Sequence, residues 1–257
     1  MWAIISDIHS NLEALLAVAD DIERHSVEKV ICLGDIVGSG PNPVECVDLI
    51  MGCEVVIRGD EDQNVVCDPV FRNALSDQWV PWTRDLLGMM DDPPTCRWEF
   101  LSSLPLSHNE GDFFFVHASP ATFLIGESLS PMDVSDSKRV KRVFEHIPKY
   151  CFKGSARYPG IFTDDSIFVS ATSEDSEYRL DGRKTLIEVG SVGQPCEDDL
   201  TASYVLLDDG VVKFRRIQYD AEPTRRKILA NPNLENRLGY QRIDGAPKQG
   251  NRDSDRY

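Results

Sequence analysis

The first 60 residues alternate between short apolar runs and longer segments whose apolar residues recur at helical spacing. The apolar runs are residues 2–6, 29–33 and 54–58, and runs of this length are typical of strands buried on both faces of a parallel sheet. One helical face between the first two runs consists of Leu12, Leu15, Leu16, Ala19 and Ile22. Asn42 followed by Pro43 indicates the start of a second helix. This order of strands and helices predicts an α/β fold with a parallel sheet and helical crossovers.

The pattern is less regular after residue 60 and becomes rich in strands in the last third. Residues 62–104 predict mainly helix, and residues 136–147 predict an amphipathic helix that ends before Pro148. The remaining apolar runs predict strands at 112–116, 149–153, 166–170, 184–189 and 203–208. Asp209–Gly210 predicts a hairpin turn into a further strand over 211–219.

The pattern contains no internal repeat and no linker between domains. Residues 1–222 are predicted to form one domain. Residues 223–257 are predicted to form a short helix followed by a polar tail with few apolar side chains, which we expect to be disordered.

The composition narrows the classes of partner and compartment. The 43 acidic and 27 basic residues give a net charge of −16, which argues against duplex nucleic acid and an acidic membrane surface as partners. No apolar run reaches about 18 residues and the first residues lack the pattern of a signal peptide, so neither a transmembrane helix nor a leader is predicted. The seven cysteines are odd in number and form no CxxC pair, so we expect a reducing compartment and a cytoplasmic protein.

Residues with metal-binding side chains follow the predicted strands at their carboxyl ends. Asp7 and His9 follow the first run, Asp35 the second, Asp60 the third, and His117 the run of phenylalanines. Ser155 and Arg157 lie in the segment that follows the predicted strand at 149–153. Because strand carboxyl ends converge on the ligand crevice of an α/β sheet, we expect all of these side chains to meet in one cleft. Buried carboxylates and imidazoles need a compensating cation, and this donor set suits Mn, Zn or Fe.

Each of these motifs also has a purely structural interpretation. Asp7 and His9 could belong to a helix-capping turn, Asp35 to an ordinary turn after a strand, and His117 to the core or its rim. Their joint placement at successive strand ends favours the metal site. Other catalytic signatures are absent from the sequence, which contains no P-loop, no GxSxG nucleophile elbow and no GxGxxG turn.

Six segments of the chain, in order, resemble the successive motifs of the calcineurin-like metallophosphoesterases. They are SDIHSN (6–11), LGDIVGSGPNP (33–43), RGDEDQ (58–63), VHASP (116–120), KGSARYPGIF (153–162) and GSVGQP (190–195). The segments are most similar to the small bacterial phosphoesterases related to diadenosine-tetraphosphatase and to serine/threonine protein phosphatases. The resemblance implies a four-layer α-β-β-α sandwich and a two-metal site that hydrolyses phosphoesters.

The resemblance also implies a role for each metal-binding residue. Asp7, His9 and Asp35 correspond to the ligands of the family's first metal, and Asp35 also bridges to the second. Asp60 and His117 correspond to ligands of the second metal.

Four positions depart from the family pattern. Asp60 stands where the family has an asparagine ligand, Glu61 where it has a catalytic histidine, and Ser155 and Arg157 where it has one histidine for each metal. Ser155 is therefore a degenerate ligand position, and Arg157 cannot bind a metal because its guanidinium stays protonated. We interpret Arg157 as a substitute for part of the first metal's charge. Glu61 replaces the catalytic histidine poorly, because an ionised carboxylate repels a phosphate.

These departures predict at most one divalent transition ion (Mn, Zn or Fe), held by Asp35, Asp60 and His117. The predicted function is that of an impaired or inactive phosphoesterase that binds a phosphorylated small molecule or a protein. The alternative is an active phosphatase or phosphodiesterase that uses this single metal, with Arg157 as electrophile. A third interpretation recruits replacement ligands from the acidic pair at 164–165.

Overall fold

The computed structural model describes residues 1–67, 76–91, 95–124, 129–155, 158–171, 176–194 and 201–236. Arg157 and the predicted polar tail from residue 237 onward lie outside the described residues. Their predicted roles therefore remain predictions.

The strands form two six-stranded sheets. In chain order they are β1 (Trp2–Ile5), β2 (Lys29–Cys32), β3 (Val55–Val56), β4 (Ser107–Glu110), β5 (Phe113–Val116), β6 (Tyr150–Lys153), β7 (Gly160–Thr163), β8 (Phe168–Ser170), β9 (Glu177–Arg179), β10 (Thr185–Glu188), β11 (Thr201–Asp208) and β12 (Val211–Gln218). The first sheet has the order β3-β2-β1-β11-β12-β9, and the second has the order β4-β5-β6-β10-β7-β8.

Helices cover the outer faces of the two sheets. They are α1 (Leu12–Glu23), α2 (Pro43–Ile50), α3 (Asp60–Val66), α4 (Ser76–Leu86), α5 (Cys96–Ser103), α6 (Ser137–Glu145) and α7 (Glu222–Ala230). A short 3₁₀ helix over Pro131–Ser135 precedes α6.

Neighbouring residues of one strand pack into different cores. In β1, Ala3 and Ile5 belong to the apolar cluster beneath α1 and α2, whereas Ile4 lies in the cluster between the two sheets, as does Phe115 of β5. A third cluster fills the space between the second sheet and α6, where Phe144 is buried. Three cores separate four layers in the order helix, sheet, sheet, helix, which confirms the predicted sandwich.

The predicted parallel sheet is confirmed for the first three strands. β1 pairs with β2 and β2 with β3, both parallel, and in the second sheet β5 and β6 are parallel as well. The loops after these strands therefore leave each sheet along one edge. This edge carries the motifs that are predicted to bind metal.

Two further findings concern the helices and the cysteines of the described residues. None of the described helices is both long and apolar enough to cross a bilayer. None of the six cysteines within the described ranges is joined in a disulfide.

Candidate metal centre

The loops after β1 and β2 are joined by backbone hydrogen bonds that fix their candidate metal ligands. The amide of Asp7 donates to the carbonyl of Gly34 (3.0 Å), and the amide of His9 donates to the carbonyl of Asp35 (2.8 Å). Asp7, His9 and Asp35 have φ angles of 58°, 48° and 52°. This left-handed region is uncommon for residues other than glycine, and such conformations concentrate at functional sites. These loops therefore hold the three side chains in place at the cost of unfavourable backbone φ angles.

Two glycines allow the loops after β2 and β3 to touch. A Cβ atom on Gly59 would lie 2.2 Å from both the amide nitrogen and Oδ1 of Asp35. A Cβ atom on Gly34, whose φ is +93°, would lie 2.2 Å from the amide nitrogen of Gly59. Any side chain at either position would push the two loops apart. Both glycines of the LGD and RGD segments thus serve to bring Asp35 and the start of α3 together.

The first ligand group consists of Asp7, His9 and Asp35, which are all buried. One ligand atom from each of the three residues lies within 4.8 Å of the other two. Nε2 of His9 is 3.7 Å from Oδ1 of Asp7 and 3.5 Å from Oδ2 of Asp35. These are the three residues that the resemblance assigns to the first metal.

The second ligand group consists of Asp35, Asp60 and His117, again with one ligand atom from each within 4.8 Å of the others. Nδ1 of His117 is 2.7 Å from the carbonyl oxygen of Leu33, which can only accept, so Nδ1 carries the proton. Nε2 then faces Oδ1 of Asp60 (2.6 Å) and Oδ2 of Asp35 (3.4 Å). A histidine held in this way through one ring nitrogen presents the other to a metal.

The two ligand groups place three carboxylates beside two imidazoles. Burial raises the pKa of the Asp35 carboxyl to about 7, although the charge of His117 acts in the opposite direction. Burial alone would lower the pKa of His117, but Asp35 and Asp60 outweigh it and hold that pKa well above 6.5. Across the described ranges, no lysine or arginine nitrogen lies within 4.0 Å of the carboxylates of Asp7, Asp35 or Asp60. A divalent cation fits this set of oxygen and nitrogen donors.

Ser155 and Glu61, at two of the positions that depart from the family, contact the ligands through their backbone. The amide of Ser155 donates to Oδ2 of Asp7 (2.9 Å), and the amide of Glu61 donates to Oδ1 of Asp35 (2.8 Å). The side chain of Glu61 accepts from Asn64 (3.1 Å), and burial raises the pKa of its carboxyl. The structure thus brings both residues to the cluster, whereas Arg157 lies outside the described residues.

The acidic pair at 164–165 lies far from the ligand groups. It follows β7, whose last residue Thr163 pairs with Thr185 at the start of β10. The ligand groups lie at the other edge, beyond Lys153 at the end of β6, which pairs with Glu188 at the end of β10. Asp165 is exposed and bonds Arg183 (3.1 Å). The interpretation that this pair replaces the missing histidines is therefore wrong.

Asp62 supports the site and was not among the residues predicted from the sequence. Its fully buried carboxylate accepts from the amide of Val37 and from the amide of Gly59, each at 3.0 Å. It thereby ties the loop after β2 to the start of α3. Asp62 lies three residues after the N-cap Gly59, at the N3 position of α3, where its carboxylate accepts from the N-cap amide. Glycine has no side chain to return this contact, so the capping-box signature is absent from the sequence and did not identify Asp62.

Comparison with known proteins identifies the family. A family model for calcineurin-like phosphoesterases matches residues 2–169. The uncharacterized protein MJ0912 of Methanocaldococcus jannaschii is 35% identical over 241 residues, which cover 90% of this chain and 93% of that protein. A crystal structure of a metallophosphoesterase from Sphaerobacter thermophilus is 27% identical with a TM-score of 0.80, and the match covers 95% of this chain and 99% of that one.

A second solved structure shares the fold at lower identity. The hypothetical protein PH1004 from Pyrococcus horikoshii is 23% identical with a TM-score of 0.75, over 96% of this chain and 99% of that one. The family model covers more than half of the chain, and the two sheets, the order of the motifs and the ligand groups agree with it. This chain therefore belongs to the calcineurin-like phosphoesterase family.

Proposed function

We propose that this chain is a metal-dependent phosphoester hydrolase. The observation that carries the proposal is the pair of preformed three-residue ligand groups that share Asp35. Three of the five ligands hold left-handed backbone conformations, which cost energy and concentrate at functional sites. Family membership supports the same reaction class.

The residues of this chain would hold and orient the ion. Asp7, His9, Asp35, Asp60 and His117 would be its ligands, and a bound divalent cation would supply Lewis acidity toward a phosphoryl oxygen and an acidified water. Backbone amides restrain the carboxylates of Asp7 and Asp35, and the carbonyl of Leu33 orients His117. Such supporting contacts keep ligands in place before the substrate arrives.

Glu61 stands where the family has its catalytic histidine. Burial raises the pKa of its carboxyl, which reduces the negative charge that a phosphate would meet. Burial of Glu61 thus weakens its repulsion of a phosphate, but it does not supply the function of the family's catalytic histidine.

The second candidate is an impaired phosphoesterase that acts by binding a phosphorylated small molecule or a protein in the cytoplasm. It is favoured by Ser155, which meets Asp7 through its amide and offers no imidazole, and by Glu61. In this case we expect at most one Mn, Zn or Fe ion, at Asp35, Asp60 and His117. An intermediate form is a one-metal enzyme with Arg157 as electrophile.

Hydrolysis after metal depletion and reloading separates these candidates. Protein freed of metal would be loaded with Mn²⁺, Zn²⁺ or Fe²⁺ and assayed on bis-p-nitrophenyl phosphate and p-nitrophenyl phosphate, with bound metal measured in parallel. We expect metal-dependent turnover that falls by about 100-fold or more in Asp35→Asn, because the shared ligand is weakened. Asp20→Asn, at an exposed position of α1, is the matched control and should behave as the unmodified protein.

Turnover near background in the metal-loaded protein would contradict the hydrolase and favour the binding candidate. The combined change Asp60→Asn, Glu61→His, Ser155→His and Arg157→His then tests whether the missing family residues alone account for the lack of activity, or whether the geometry of the site is lost as well. A gain of about 10²–10⁴-fold would show that only these groups are missing. Single reversions should do little, because metal ligands act as a unit.

A further inference from the structure

Helix α7 reaches the loop that carries His9 through the buried side chain of Asn11. Oδ1 of Asn11 accepts from the amide of Ala14 (3.2 Å) and from the hydroxyl of Thr224 on α7 (3.0 Å). Nδ2 of Asn11 donates to the carbonyl of Gly193 (3.0 Å) and to the hydroxyl of Tyr219 (3.1 Å). An asparagine amide has two donor hydrogens and two acceptor lone pairs, so all four are used. Loss of one partner would leave a buried polar atom without compensation.

A second route from α7 reaches the same loop through Asn42. The ammonium of Lys227 donates to Oδ1 of Asn42 (2.9 Å) and to Oε1 of Glu13 (2.6 Å). The backbone amide of Asn42 in turn donates to the carbonyl of Ser10 (3.0 Å). Lys227 therefore reaches Ser10 through Asn42, whose amide bonds the Ser10 backbone. Thr224 reaches Asn11, the next residue, through the Asn11 side chain.

Glu13 joins the two routes into one network. Its Oε2 lies 2.5 Å from the hydroxyl of Thr224, whose single proton is shared between Glu13 and Asn11. Its Oε1 accepts from Lys227. α7 itself is held by apolar packing, since Ile228 is fully buried in the core that also contains α1. The helix is thus anchored on its apolar side and presents two polar side chains to the loop.

We propose that α7 positions the first ligand group, with Thr224 and Lys227 as positioning residues that act through Asn11 and Asn42 on His9. This inference rests on the proposed function in one respect, namely that the group binds a metal ion. The placement of α7 in the sequence conceals this role, because Thr224 lies 213 residues from Asn11 along the chain.

The test uses four variants of the full chain. Thr224→Val keeps the shape of the side chain and removes its hydroxyl, whereas Thr224→Ser keeps the hydroxyl. Lys227→Met keeps most of the length of a partly exposed side chain and removes its charge, so it leaves the core of the protein intact. Arg226→Gln is the control on the same helix, because Arg226 is 76% exposed and bonds only Glu222 among the contacts described for it.

Two readouts are measured. The first is the affinity for Co²⁺ with the visible absorption spectrum of the bound ion, which reports ligand geometry. The second is amide hydrogen exchange of residues 8–11 in metal-free protein, which reports the loop alone. We expect about a 10-fold loss of Co²⁺ affinity and a changed spectrum in Thr224→Val and in Lys227→Met, the low end for residues that orient metal ligands. Exchange at residues 8–11 should accelerate, while Thr224→Ser and Arg226→Gln match the unmodified protein.

The outcomes separate failure of this inference from failure of the proposed function. Unchanged Co²⁺ affinity, spectrum and exchange in both Thr224→Val and Lys227→Met would overturn the role of α7 and leave the hydrolase proposal standing. Absence of Co²⁺ binding in the unmodified protein would overturn the metal centre. Faster exchange at residues 8–11 in that case would still support the positioning of the loop by α7.

Discussion

Gly59 shows how closely single residues are constrained around the ligands. Its missing side chain leaves the space taken by the amide and carboxylate of Asp35, each 2.2 Å from where a Cβ atom would be. The amide of Gly59 is also occupied, since it donates to Asp62. A shift of Gly59 would therefore move Asp35, which belongs to both candidate ligand groups.

Replacing Gly59 by alanine should therefore destabilise the protein. We expect Gly59→Ala to cost about 1–3 kcal/mol of unfolding free energy, because the added methyl group must displace the backbone next to Asp35. Gly52→Ala is the control, since its Cβ atom would meet only the carbonyl of Leu49 at 3.4 Å. Urea unfolding measures both, and equal midpoints for the two variants would contradict the crowding described at Gly59.

The clustering of the candidate ligands could be predicted from the sequence, but the residues that contact and orient them could not. Asp7, His9 and Asp35 each follow an apolar run, so a local pattern identified them. Thr224 is an ordinary helical threonine by sequence, and only the fold brings it to Asn11. The interaction partners of a buried polar residue depend on tertiary contacts that no local spacing encodes.

Among the elements, α1 is joined to the far strands of its sheet by a buried carboxylate. Asp21 on α1 accepts from the hydroxyl of Tyr204 on β11 (2.7 Å) and from two nitrogens of Arg215 on β12 (3.0 and 3.1 Å). Burial alone raises the pKa of Asp21, but the hydrogen bonds from Arg215 and Tyr204 outweigh it and hold that pKa below 3.8. The ionised form is thus preferred in the folded protein.

The stability contributed by Asp21 should depend on pH. Because the pKa is lower in the folded than in the unfolded chain, the contribution is complete above about pH 4 and is lost as the pH falls through the folded pKa. We expect Asp21→Asn to cost about 3 kcal/mol at pH 7, because it removes the charged carboxylate that accepts hydrogen bonds from Arg215 and Tyr204. Urea unfolding at pH 7 and near pH 3 should show the difference from the unmodified protein shrinking at low pH.

Asp20→Asn provides the matched control for this prediction. Asp20 is the exposed neighbour of Asp21 on the same helix, so its substitution should change stability by no more than about 0.5 kcal/mol at either pH. A deficit of Asp21→Asn that stays the same at both pH values would rule out the ionised carboxylate as its cause.

The elements with strong apolar periodicity were predicted, and the short polar ones were not. β1, β2, α1 and α2 agree with the pattern to within a residue or two. The pattern missed β4 and β9, whose sequences are SHNE and EYR, because both strands lie at the edge of a sheet and bury little side-chain surface. β7 was missed although all four of its residues are buried.

At the scale of the whole molecule, the net charge of −16 and the acidic cluster both favour the binding of a divalent cation. A ligand that binds only the folded state stabilises that state by mass action. At about 100 times its dissociation constant, an ion adds roughly 2.7 kcal/mol. For a protein of this size, this corresponds to a rise of about 5–10 °C in Tm.

We therefore expect Mn²⁺ to raise the Tm of the metal-free protein and Asp35→Asn to abolish the rise. Sodium chloride at matched ionic strength is the control, because simple screening of the surface charge also stabilises an acidic protein. Differential scanning calorimetry gives the Tm of the unmodified protein with Mn²⁺, of Asp35→Asn with Mn²⁺, and of the unmodified protein with sodium chloride. A rise of the same size in sodium chloride, or in the variant, would assign the effect to screening and not to the metal centre.

The architecture of the whole molecule could be predicted from the sequence because the six motifs occur in the same order as in the family. The alternation of Ala3, Ile4 and Ile5 between two cores also agrees with an apolar run buried on both faces. The packing of α7 against the loops of the candidate metal centre could not be predicted. The periodic pattern predicts that a helix follows β12, but it does not say where that helix docks.

Oδ2 of Asp35 lies 3.5 Å from Nε2 of His9 and 3.4 Å from Nε2 of His117, so a single oxygen faces both ligand groups. Two binding events that draw on one atom are thermodynamically linked, and each changes the affinity of the other by the same factor. The titration of this centre with an ion that enters both groups would therefore not follow two independent isotherms. Its Hill coefficient would differ from one.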